Sequence, residues 1–198
     1  MVLRFSVFMK TKRTHFKLSN ILFVVLILLF IIPQTRTPIQ VGLHQLLAKI
    51  MPVSIEEEGP QIDYEHWQLQ GIDGSKIDFE NLKEKVVIIN FWANWCPPCI
   101  AEMQSLDELY TAYQDDNDFI FLYISNETEE TLRRFINNKD YNFEAFKAMS
   151  STPNVFETTS IPRTLIIDKA GRIVVDKSGA SDWNSETIHN LLKKLKES

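Results

Sequence analysis

The chain has 198 residues, 44% hydrophobic and 24% charged, which suits one globular domain of ordinary size with an appendage. Its formal net charge of −5 understates the acidity of the body, because residues 1–20 carry Arg4, Lys10, Lys12, Arg13 and Lys17 and no acid. That acidity argues against nucleic acid as a partner.

The basic segment 1–17 runs into residues 18–32, Leu18 to Ile32, which are uncharged and almost wholly apolar. As a helix they reach roughly 22 Å at ~1.5 Å per residue, short of the ~30 Å hydrocarbon core, so Lys17 must snorkel or the bilayer thin. Pro33-Gln34-Thr35-Arg36-Thr37 follows, with no small-x-small cleavage site and no lipobox cysteine. The pattern favours an uncleaved single-pass membrane anchor over a removed signal. No polar stripe supports a buried core helix instead. The positive flank then puts the amino terminus in the cytoplasm and the rest beyond the inner membrane, in the periplasmic or extracytoplasmic space.

Residues 33–62 read as a stalk or linker. Val41, Leu43, Leu46, Leu47 and Ile50 fall at helical spacing before Pro52, a stretch that suits a membrane surface, a contact on the domain or a simple spacer. Glu56-Glu57-Glu58-Gly59-Pro60 is charged and turn-rich, and the domain is placed at 63–198. Glu65 to Leu69 and Lys76 to Phe79 flank a hairpin signal, Gly71-Ile72-Asp73-Gly74. Val86 to Trp92 is a nearly continuous apolar run, as a strand buried on both faces requires. A helix is predicted over Cys99 to Gln114, a strand over Phe119 to Ile124 and a helix over Glu129 to Asn137. A strand pair, Thr164 to Ile167 and Arg172 to Asp176, turns at Asp168-Lys169-Ala170-Gly171, and Ser185 to Lys196 closes the chain as a helix. This order implies an α/β fold with a mixed sheet covered on both sides by helices.

The only two cysteines lie in Trp95-Cys96-Pro97-Pro98-Cys99, between a strand and a helix. Exchange begins when a thiolate attacks a disulfide sulfur. A free thiol has a pKa of ~8.5, which a helix amino terminus lowers into a range of about 3.5 to 7.5. Cys96 sits where unpaired N–H groups favour an anion, and is assigned as the exposed nucleophile. Cys99, three residues on, should lie deeper and resolve the mixed disulfide. Pro97 and Pro98 lack N–H groups that a helix start does not need, and stiffen the loop. A zinc site would require two more ligands, whereas His15, His44, His66 and His189 are scattered. A purely structural bridge across so short a loop would brace almost nothing. No metal and no cofactor is called for.

The run Asn90-Phe91-Trp92-Ala93-Asn94-Trp95-Cys96-Pro97-Pro98-Cys99-Ile100-Ala101-Glu102-Met103 resembles the active-site signature of the thioredoxin superfamily, in particular its membrane-anchored TlpA/ResA-like reductases. The likeness extends through Ser160 to Val174 and covers about residues 63 to 197. It implies a thioredoxin-like fold with an N-terminal β-hairpin. It also implies an activity: reduction of disulfides in extracytoplasmic proteins such as apocytochromes c, with electrons from a membrane thiol carrier. By the same resemblance, Ile161-Pro162 carries a cis peptide bond facing the cysteines, and its preceding backbone pairs with substrate. Trp95, Pro97, Pro98, Ile161 and Pro162 then form the substrate-binding rim. Glu102 matches an acid one turn after the second cysteine, which passes protons to and from Cys99. Two positions depart from the pattern. Asn90 stands where thioredoxin has a buried Asp, and an amide cannot carry a proton; Gln104 replaces a proline of many relatives, so the usual helix kink is not implied.

Phe91, Trp92, Trp67 and Trp183 are read as packing residues without a catalytic role. A peroxiredoxin-like peroxidase would carry Thr three residues before the reactive cysteine, where Ala93 stands. A Sco-type copper-delivery protein would want a CxxxC pair and a well-placed histidine, where this chain has CxxC and His189 in its last helix.

Overall fold

The computed structural model describes residues 18–198 except 57 and 65; the basic segment 1–17 lies outside the described residues. Two units are distinguished, up to Thr37 and from Pro38 onward. The first holds α1 (Leu18–Ile31), 14 residues with most apolar side chains exposed. No single helix among the described residues is long and apolar enough to cross a membrane.

Helix α2 (Pro33–Ala48) contains Pro38, where the second unit begins. Within that unit Ala48 is buried against Ala101 and Ala180, with Val41 packed beside them. Of the roles open to this stretch, it takes the contact on the domain, although Leu43, Leu46 and Ile50 remain exposed.

The sheet is built from β1 (Gln68–Gly71), β2 (Lys76–Asp78), β3 (Val86–Phe91), β4 (Phe119–Ile124), β5 (Ala145–Ala148), β6 (Arg163–Ile167) and β7 (Ile173–Ser178). Their order is β2-β1-β5-β4-β3-β6-β7. It is mixed: β3 pairs parallel with β4 and antiparallel with β6, and β4 pairs parallel with β5. A parallel neighbour needs a crossover, and α3 (Pro97–Tyr113) and α4 (Glu129–Lys139) supply the two required. The chain closes with α5 (Glu186–Glu197).

Pairing starts upstream of residue 63. Glu56 N donates to Val174 O (2.8 Å), Ile173 N to Pro60 O (3.0 Å) and Ile62 N to Gly171 O (2.8 Å), so the segment reading as linker runs beside β7. Gly171, in the β6–β7 turn, has φ +82°, and a Cβ there would meet the Gln61 side chain at 2.8 Å. Glycine satisfies both demands.

Alternation along the strands divides the core. Val86, Ile88, Phe121 and Tyr123 face α3, α4 and α5, meeting Met103, Leu106, Leu132, Ile188 and Leu192. Val87, Ile89, Leu122 and Leu165 face the other way, into Trp67, Phe79 and Phe156. Phe79 and Phe156 sit on 3₁₀ turns, Phe79–Leu82 and Asn154–Phe156. Helical cover on both faces is therefore corrected: the second face is closed by packed aromatics, two of them on short turns. Trp67 lies 5.2 Å from Phe156 and 5.6 Å from Phe79, ring to ring, and aromatic side chains bury enough area to replace a helix there.

Asp107 on α3 fastens the α4–β5 connection. Its Oδ1 accepts from Asn142 N (2.6 Å) and Phe143 N (3.2 Å), and its Oδ2 from Asn142 Nδ2 (3.0 Å). Removing the carboxylate leaves the buried Phe143 N–H without its partner, while the N–H of exposed Asn142 can turn to water. Asp107→Ala is expected to lower stability by about 2 kcal/mol or more, read as a fall in urea midpoint at unchanged slope.

Candidate active site

Strand β3 delivers the chain to the site, and the turn that follows leaves few backbone groups idle. Trp92 N donates to Ile124 O (3.1 Å), Cys96 N to Ala93 O (3.2 Å) and Ile100 N to Cys96 O (3.0 Å). Asn94 N donates to the Glu127 carboxylate at 2.8 Å. Cys96 is the N-cap of α3, in extended conformation, with Pro97 and Pro98 in the first turn. Its Sγ accepts from Cys99 N at 3.2 Å, the place a Ser or Asp oxygen takes in an ordinary cap. Cys96 and Cys99 are joined in a disulfide, with Cα atoms 5.2 Å apart.

The Ile161–Pro162 peptide bond is cis, and the Ile161 carbonyl oxygen lies 3.7 Å from Cys96 Sγ. Trp95 is 69% exposed beside the pair. Ile161 and Trp95, which flank the disulfide, both line a groove shared with residues 125–127, 154 and 156–159. Pro97 and Pro98 are half-buried at the helix start.

Beneath the sulfurs lies a buried acid. Glu102 is three residues beyond Cys99 on α3 and only 1% exposed. In the β3–β6 register Asn90 stands opposite Thr164, and both side chains point to the helix side. Asn90 Nδ2 donates to Glu102 Oε1 (2.9 Å) and to Thr164 Oγ1 (2.7 Å). The loop before α5 completes the pocket: Ser181 N (3.2 Å) and Trp183 Nε1 (2.9 Å) donate to Oε2. Burial pushes the Glu102 carboxyl up to about 7, against the downward pull of the bonds from Trp183, Ser181 and Asn90. Such an acid changes its charge near neutrality, where thiol exchange needs a proton carrier.

Residues 62–175 match the AhpC/TSA family. Thiol-disulfide oxidoreductase ResA of Bacillus thuringiensis (strain Al Hakam) is 30% identical over 125 residues, 63% of this chain and 71% of the relative. The chain belongs to the AhpC/TSA family, among its ResA-like thiol-disulfide oxidoreductases. A ResA of Bacillus cereus is 29% identical over 182 residues, spanning 90% of this chain and 98% of the relative. A thiol:disulfide interchange protein of the thioredoxin family from Chlorobium tepidum TLS superposes with a TM-score of 0.52 at 21% identity, over 73% of this chain and 97% of that one. This last likeness shows the fold, which is thioredoxin-like.

Two readings of the ResA-like site change. Cys96, assigned as an exposed nucleophile, is 3% exposed, because in the disulfide its sulfur is bonded to Cys99, which is fully buried, and lies against Ile161. Trp183, read as packing alone, is buried but also donates to Glu102, because the loop before α5 folds back onto α3. Sequence reasoning missed Thr164, Ser181 and Glu127 as well. Only the strand register could have pointed to Thr164, and nothing local marks the other two, which reach the site through tertiary contacts.

The raised Glu102 value has a consequence for stability. Because the folded protein holds this proton more tightly than the unfolded chain, the stabilisation is complete below the ordinary value of 4.5 and is lost as pH rises through about 7. The loss across that window amounts to about 3 kcal/mol. Urea midpoints of the oxidised protein are expected to fall between those two pH values and to level off above. Glu102→Gln should flatten the window; an unchanged slope in the variant would assign it to another group.

Proposed function

We propose that this chain reduces disulfides of extracytoplasmic proteins, apocytochromes c or envelope proteins among them, with Cys96 as nucleophile, Cys99 as resolving thiol and Glu102 as proton carrier. Residues 18–32 anchor it in the inner membrane with segment 1–17 in the cytoplasm, the chain from 33 leads as a stalk to a domain against which its far end packs, and that domain acts on the far side. A membrane thiol carrier returns electrons to the pair. The observation that carries the reading is the Cys96 sulfur serving as cap of the helix that also bears Cys99 and Glu102.

In the reduced chain the Cys96 thiolate, favoured by the amino-terminal end of α3, attacks one sulfur of the substrate disulfide. A bond forms between Cys96 and that sulfur; the other substrate sulfur leaves as thiolate and takes up a proton. Cys99 then gives its proton to the Glu102 carboxylate and attacks Cys96. The internal disulfide forms as the bond from Cys96 to the substrate breaks, and the second substrate sulfur departs as thiolate and takes up a proton, so one dithiol and one disulfide have exchanged states. Trp95, Pro97, Pro98, Ile161 and Pro162 form the rim on which the substrate lies, with the Ile161 backbone available for pairing to an extended segment.

Cys99→Ala is expected to accumulate mixed disulfides through Cys96, visible as reductant-sensitive adducts, and Cys96→Ala to form none. Adducts of equal yield from both variants would overturn the assignment of roles. Release of product is expected to quicken as pH rises through about 7, where Glu102 becomes able to accept a proton. Glu102→Gln should slow that step by about a hundredfold and lose the inflection in stopped-flow measurements. A reduction potential far below that of the compartment's oxidants, measured by equilibration with dithiothreitol, would fit a reductant; one near them would make the chain an oxidant instead.

A further inference from the structure

The groove beside the disulfide has a volume of about 910 Å³ and is larger than a single side chain needs. Its walls are partly aromatic, with Phe91, Trp92, Trp95 and Phe156 contributing. The charged residues that line it are Glu127 and Glu157; among the described residues no Lys, Arg or His does so. Glu127 is fixed against the active-site turn, since its Oε2 accepts from Asn94 N (2.8 Å) and faces Ser125 Oγ at 3.5 Å. Glu157 is exposed and lines the groove as well, in the segment that leads to Ile161. A further exposed carboxylate, Glu129, opens α4 two residues after Glu127 and adds to the negative field, whereas Glu130 is paired with Arg134.

Arg163, two residues beyond Ile161, is already neutralised. Arg163 donates to the Glu157 and Val155 carbonyls, and holds Asp176 through two bonds of 2.8 Å. The charges that line the groove itself are thus of one sign, near the sulfur that must meet the substrate. Low-dielectric walls focus such a field on whatever enters.

We propose that the groove selects disulfides flanked by Lys or Arg, with Glu127 and Glu157 as the specificity-determining residues. The inference rests on the reading of the chain as a reductant of protein disulfides and names the substrate class of that same site. An aliphatic stem of Lys or Arg lies along the aromatic wall while its charged head reaches a carboxylate. A substrate bearing Asp or Glu at the same place is repelled, and selection comes as much from that repulsion as from attraction.

The test uses the full chain in detergent, reduced with dithiothreitol and freed of it, in single turnovers. Three cyclic peptides closed by one disulfide, identical except for Lys, Gln or Glu beside the cysteines, serve as substrates. At low salt the Lys peptide is expected to react about tenfold faster than the Glu peptide, a ratio in the range that two exposed charge pairs provide. At about 1 M salt the ratio should fall to about twofold or less, because screening then acts within a few ångströms. The double variant Glu127→Gln/Glu157→Gln should lose most of the preference at low salt. The amide introduced by Glu127→Gln keeps an oxygen for the Asn94 N–H, so the turn retains its tie. Any change in Cys96 acidity would scale the three rates together, and the ratio is insensitive to it.

Equal rates for Lys and Glu peptides, or a preference that survives the double variant, would overturn the groove assignment and leave the reductase reading standing. Failure to reduce any of the three would instead remove the reductase reading and the groove assignment with it.

Discussion

The sulfur of Cys96 takes the place of a capping oxygen at the start of α3, and the reactive end of the molecule is arranged around that contact. Once Cys96 is the cap, Cys99 and Glu102 follow at steps of three along one helix, so nucleophile, resolving thiol and acid descend in line from the helix start toward the sheet. The turn that sets this register is tied on several sides: to β4 through Trp92, to Glu127 through Asn94 and to itself through Cys96. A helix start fixed so firmly keeps the geometry of exchange the same whichever partner arrives.

The acid below depends on more of the fold than the sulfurs do. Strand β3 brings Asn90, strand β6 brings Thr164 behind it, and the loop before α5 brings Ser181 and Trp183. Each of the three groups facing Glu102 is a donor, which suits a carboxylate, while burial suits the neutral acid; burial is the larger influence. Balance between these opposed effects leaves the group able to hold or release a proton at neutral pH. Packing of the loop before α5 onto α3 is therefore part of the chemistry, since it dries the pocket.

Much of this was legible in the sequence, and the misses have physical causes. The strand over Phe119–Ile124 coincides with its apolar run because a strand buried on both faces leaves no other pattern. The closing helix read over Ser185 to Lys196 is α5, shifted by one residue with Ser185 as its cap, and the cysteine pair does open a helix. Strand β5 went unseen because Ala145-Phe146-Lys147-Ala148 is four residues without alternation, held by pairing to β1 and β4 rather than by its own propensity. The aromatic cover of the second face was hidden for a related reason: Trp67, Phe79 and Phe156 are far apart in the chain and meet only on folding. Burial of Cys96 and the bond from Trp183 to Glu102 are likewise tertiary facts, with no local signature to read.

The two prolines of the motif set how much electrostatic help the Cys96 sulfur can draw from its helix. An ordinary helix start offers several free N–H groups to an anion, but Pro97 and Pro98 have none, and Ile100 N is already taken by the Cys96 carbonyl. The Cys99 amide is left as the single backbone donor of that first turn to reach the sulfur. The pair of imino acids thus acts as a throttle on thiolate stabilisation, and a residue with an amide hydrogen in place of Pro98 would open it by adding a second donor to the ring.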